Sequence, residues 1–170
     1  MLYMVEMNLE DRSRIAEWNE WYQGHLKMLL SIPGFLSAQR FESRTETDSP
    51  FMAIYTLADA GVISGDAYRA KAGPNSTGVW KTRMNNWHRN ILSGASSAPD
   101  VGPTDWLAVW DRRTSDAPAL PKDYTSLSPV GLDRTLVERG LFVGTAGVEP
   151  PVAIDTDAWR LRVFSPMTER

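Results

Sequence analysis

Chemistry near neutral pH needs a side chain that exchanges a proton there, and the chain of 170 residues offers two histidines, His25 and His88. His25 shares a helical face with Trp18, Tyr22 and Leu29, at seven-, three- and four-residue steps. An inward imidazole of this kind suits a general acid or base. The same position also suits a core or helix-end histidine satisfied by one hydrogen bond. His88 stands in Trp87-His88-Arg89-Asn90, one position after an aromatic stripe, and faces either a cleft edge or solvent. No His-x-x-x-His or comparable spacing accompanies either residue, so no metal site is expected.

Other side chains could assist. Arg40 falls inside a strand-like run, where a guanidinium needs either an ion-pair partner or an anionic ligand such as a carboxylate. Tyr22, Tyr55, Asn86 and Asn90 could donate to a developing oxyanion. Seven tryptophans are an unusual number, and they serve either packing and interfaces or a flat slot for a ring or conjugated chain. The candidate catalytic set is therefore His25, Tyr22 and His88, and the candidate binding set is Arg40, Trp18, Trp87, Arg89 and Asn90. There is no Gly-x-Ser-x-Gly elbow, no phosphate-cradling loop and no dinucleotide fingerprint.

Composition narrows the classes. The chain has no cysteine, which excludes disulfides, thiolate metal sites and thiol nucleophiles. The net charge of −3 and the lack of a basic run give nucleic acid no footprint. Residues 1–15 carry Glu6, Glu10 and Asp11 and no long apolar stretch, so no signal peptide is expected. No run approaches the roughly 18 apolar residues of a membrane helix. A cytoplasmic protein with no membrane partner is the expectation.

Elements must position these groups. Leu2 to Met7 reads as a strand, Leu9 to Ser31 as an amphipathic helix closed by Pro33-Gly34, and Phe35 to Ser43 and Phe51 to Leu57 as an antiparallel pair. Helices are predicted over Ala58 to Lys71 and over Val79 to Leu92, the latter from Trp80, Met84, Trp87 and Ile91. Asp105 to Asp111 and Trp159 to Phe164 read as strands, and a short helix is predicted over Leu132 to Phe142. The order predicts an α+β fold: a ferredoxin-like antiparallel sheet with helices on one face over residues 1–112. Residues 113–170 are expected to form a C-terminal extension packed on that unit or on a dimer mate. Apolar residues on both faces of the strands predict a homodimer joined through the sheet face away from the helices.

The segment Trp18-Asn19-Glu20-Trp21-Tyr22-Gln23-Gly24-His25-Leu26, followed by Ile32-Pro33-Gly34-Phe35 and Gln39-Arg40-Phe41, resembles the first helix and second strand of EthD-like proteins. Ala53-Ile54-Tyr55 is similar to their third strand, so the likeness covers about residues 1–57. It implies a dimeric α+β barrel. The superfamily spans cofactor-free monooxygenases, decarboxylases, isomerase-like enzymes, haem binders and stress proteins, so the resemblance marks fold more than reaction. The expected activity is cofactor-independent acid–base chemistry, isomerisation or ester hydrolysis, on a small unsaturated or aromatic-derived carboxylate of catabolism. The alternatives are a non-catalytic dimeric ligand-binding or stress-type protein, and a haem-binding or monooxygenase member.

Overall fold

The structure, a computed structural model, describes residues 1–72 and 76–170. Its strands are β1 (Leu2–Leu9), β2 (Phe35–Ser43), β3 (Phe51–Leu57), β4 (Met84–Ser93), β5 (Trp106–Arg112), β6 (Thr125–Leu132), β7 (Glu138–Gly144), β8 (Ile154–Asp155) and β9 (Trp159–Pro166). Two α-helices accompany them, α1 (Ile15–Leu30) and α2 (Asp66–Ala72). The sheet order is β2-β3-β1-β4-β6-β7-β5-β9-β8, with every pairing antiparallel. β2 also pairs with β9, through Phe41 opposite Pro166 and Ser43 opposite Phe164. That seam closes eight strands into a barrel, and the short β8 pairs with the start of β9, on the edge that β2 takes further along.

This corrects the predicted ferredoxin-like α+β fold and the dimeric α+β barrel. The strand order over residues 1–57 follows the prediction, but the sheet does not stop at four strands. Residues 113–170 contribute β6, β7, β8 and β9 to it. β3 shows why the misreading arose. All seven of its residues are buried, because one face meets α1 and the other lines the barrel interior. Burial on both faces gives a continuous apolar run. The second cover comes from the chain itself, so the sheet face assigned to a dimer mate is the lumen.

α1 forms where predicted. Asp11 accepts from the Ser13 amide at 3.0 Å and caps the 3₁₀ turn that leads into it. It buries Trp18, Tyr22, Leu26 and Leu29 against Val5, Phe51 and Tyr55 on the outside of the barrel. The helix ends before Gly34, whose φ of +97° suits only glycine well.

The helix predicted over Val79–Leu92 is instead a 3₁₀ turn followed by β4. Asn86 has a φ of +50°, and the register against β1 slips between Glu6 and Asn8. The extra residue is a β-bulge. It shifts the alternation by one, so Met84 and Ile91, seven apart, both reach the α1-facing core. A seven-residue step on one face imitates two helical turns. Similarly, the helix predicted over Leu132–Phe142 gives way to β7.

The lumen holds two kinds of residue. One part is apolar and includes Leu2, Met4, Phe41, Ile54, Leu107, Val109 and Phe164. The other is a charged brace. Glu6 on β1 stands four strands from Asp111 on β5, on the opposite wall. Arg139 bridges them, 2.6 Å from Glu6 and 2.5 Å from Asp111. Arg162 also reaches both carboxylates. Arg160 is more loosely held, 3.5 Å from Asp111 and 3.2 Å from the half-exposed Asp48. An eight-stranded barrel is just wide enough for side chains to fill. No helix among the described residues is long and apolar enough to cross a membrane.

Candidate functional site

Between α1, α2 and the outer face of β1, β3 and β4 lies a cleft of about 480 Å³. Its size is that of a small-ligand site. Alternation decides what it receives from the strands. In β1, Tyr3 and Val5 face out toward α1 while Met4 and Glu6 face in. Tyr55 pairs with Tyr3 across β3 and β1, and their rings stack at 5.5 Å. Arg89 lies opposite Val5 and so also faces the cleft.

The helix supplies Trp21, Tyr22, His25 and Leu29, one and two turns of a single stripe. His25 stacks on Trp21 with centroids 5.0 Å apart and meets the edge of Tyr22 at 5.6 Å. Burial among these apolar groups holds its pKa down, at about 4. At neutral pH it is therefore an uncharged imidazole, able to give or accept one hydrogen bond.

The deep end of the cleft is phenolic. Tyr3, Tyr22 and Tyr55 are all buried. The Tyr22 and Tyr55 phenols are neighbours that influence each other's titration, as are those of Tyr3 and Tyr68 of α2. Burial raises the pKa of each of the three buried phenols, and for Tyr22 the Arg40 guanidinium works in the opposite direction. The mouth is different: Lys81, Trp87 and Arg89 are exposed. The site thus has apolar walls, hydroxyls at its floor and cations at its rim.

The sequence candidates separate into three groups. His25, Tyr22, Trp87 and Arg89 come together in the cleft. Trp18 and Arg40 lie beneath it. Trp18 is fully buried and its Nε1 donates to the Met84 sulfur at 3.2 Å. Arg40 packs against the rings of Trp18 and Tyr22, at 4.6 and 4.0 Å, and donates to Asn19 Oδ1. His88 and Asn90 pair with Glu6 and Met4, so they share the lumenal face rather than the cleft. Tyr3, Trp21, Tyr68 and Lys81 were not singled out by sequence reasoning. For Tyr3 and Trp21 a signal existed: Tyr3 alternates with Val5, and Trp21 precedes His25 by one helical turn. Among the described residues no group of three or more His, Asp or Glu could hold a metal ion.

Comparison with protein-family models, curated proteins and solved structures finds no match for this chain.

Proposed function

We propose that the chain binds a small planar carboxylate, aromatic or conjugated, in the cleft under α1 and moves a proton on it with His25, without a cofactor. The observation that carries this reading is the imidazole of His25 stacked on Trp21 in an aromatic-walled cavity whose mouth bears Arg89 and Lys81. Flat walls select a flat ligand, and the rim cations attract its acid group. An arriving carboxylate raises the pKa of the imidazole, which turns a weak base into one poised nearer neutrality. Isomerisation or ester hydrolysis needs no more than this acid–base help. A second reading, ligand binding without turnover, is favoured by the low basicity of His25 in the unliganded cleft.

Titration with benzoate and cinnamate, followed by tryptophan fluorescence, tests the binding. Trp21 and Trp87 border the cleft, so occupancy should change their emission. Calorimetry at pH 6 in buffers of different ionisation heat should show proton uptake on binding. Absence of binding for both acids at millimolar concentration overturns the proposal.

A further inference from the structure

The cleft carries two kinds of polar group, exposed cations and buried phenols. The rim carries the exposed cations Arg89 and Lys81. The floor carries the neighbouring phenols of Tyr22 and Tyr55, both almost fully buried. Directly behind Tyr22 sits Arg40, which is 3% exposed. Its guanidinium carbon lies 4.0 Å from the Tyr22 ring centroid, and its side-chain hydrogen bond goes to a neutral amide, Asn19 Oδ1, at 3.0 Å. The other buried arginines of the barrel all touch carboxylates. Arg40 forms no ion pair among the described residues.

A buried cation without an anion is costly unless something nearby receives its field. The π-faces of Trp18 and Tyr22 take part of it. The Arg40 charge also acts on the Tyr22 phenol, where it opposes the rise that burial imposes, and Tyr22 lines the cleft. A phenol backed by a cation is a stronger hydrogen-bond donor, and it suits an acceptor that carries or develops negative charge.

We infer that the ligand has a second oxygen, at the end opposite its carboxylate and conjugated with it, and that Tyr22 receives this oxygen as an oxyanion with Arg40 as the positioning residue behind it. The substrate class is then the para-oxygenated planar acids, of which 4-hydroxybenzoate and 4-hydroxycinnamate are the simplest. The rim cations hold the carboxylate and the floor phenol holds the phenolate or enolate oxygen. This rests on the cleft being the binding site, as proposed above.

The experiment compares cinnamate with 4-hydroxycinnamate on the full chain. The hydroxylated acid should bind at least tenfold more tightly. Its absorption band should also move toward the phenolate position on binding at pH 7. Tyr22→Phe should cut the preference to threefold or less. Arg40→Lys, which keeps the charge, should retain the spectral shift, and Arg40→Gln should lose it; a melting curve for each variant confirms that it is folded. Equal affinity for the two acids overturns this inference while leaving the broader function standing. Failure of both acids to bind overturns both. A tenfold preference that survives Tyr22→Phe also overturns it, because the oxygen is then received elsewhere.

Discussion

Glu6 on β1 and Arg139 on β7 meet at 2.6 Å inside the barrel, 133 positions apart in the chain, with exposures of 1% and 2%. The same guanidinium holds Asp111 on β5. Three strands are thus tied across the lumen. Burying charge is expensive, and good geometry only offsets that cost. The intact brace therefore need not add net stability. Removing one member is another matter, since the others stay buried. Arg139→Met should destabilise the fold by about 3–5 kcal/mol, measured by urea denaturation. A change under 1 kcal/mol would mean that Arg160 and Arg162 neutralise both carboxylates unaided.

Acid should attack the same brace. Burial alone would raise the pKa of Glu6 and Asp111, but Arg139 and Arg162 outweigh it and hold both below the usual carboxylate range. A carboxyl with a depressed folded pKa stabilises fully above its unfolded value, near 4, and loses that contribution as pH falls toward the folded value. Melting temperature should therefore fall most steeply below about pH 4. Glu6→Gln should flatten that limb.

The sequence announces the first half of the barrel better than the second, and the lumen explains why. β1 and β3 are apolar, and α1 has one clean stripe, so ordinary periodicity finds them. In β5, β7 and β9 the inward positions include Asp111, Arg139, Arg160 and Arg162, while aromatic residues such as Trp110 and Phe142 face outward. Asp105 to Asp111 and Trp159 to Phe164 read as strands from their alternation, but charge inside and rings outside conceal which face is the core, and β6 and β7 do not read as strands. β4 was hidden by the bulge at Asn86. The site followed the same division. His25 and Tyr22 were legible from helix periodicity, Trp87 and Arg89 reach the cleft from a strand rather than the predicted helix, and the depth of Arg40 depends on tertiary packing.

Truncation tests closure of the barrel. Ending the chain after Arg112 removes β6, β7, β8 and β9 and uncovers Leu2, Met4, Phe41 and Ile54, together with the unpaired Glu6. The product should aggregate, since it exposes both an apolar sheet face and open strand edges. Recovery of a soluble fragment with a cooperative melt would refute this.

Close approach at Gly144 gives a local test. A Cβ there would lie 1.9 Å from the Trp106 ring, which crosses β7 at that point. Gly144→Ala should cost about 1–3 kcal/mol through forced repacking. Gly24, on the exposed side of α1, has nothing within 4 Å of the same added atom. Gly24→Ala should instead stabilise by up to about 1 kcal/mol through helix propensity. Opposite signs in parallel denaturation curves are the expected result.

His25 separates chemistry from packing. Its stacking on Trp21 and contact with Tyr22 give it a structural share, and its place in the cleft gives it a functional one. His25→Gln keeps reach and hydrogen-bonding capacity. As the acid–base group, its loss should lower turnover roughly a hundredfold or more. As a packing residue alone, its loss should cost about 1–2 kcal/mol and leave turnover per folded molecule unchanged. The pH profile adds an independent readout. Burial holds the folded pKa at about 4, below the ordinary value near 6.5. As pH falls from about 6.5 toward 4, the unfolded chain takes up the proton first, so the wild type loses stability across that window. His25→Gln should lose this part of its pH dependence and keep the steeper acid limb set by Glu6 and Asp111. A variant whose melting profile matches the wild type between pH 6.5 and 4 would place His25 in water rather than in the cleft wall, and would remove it from the site.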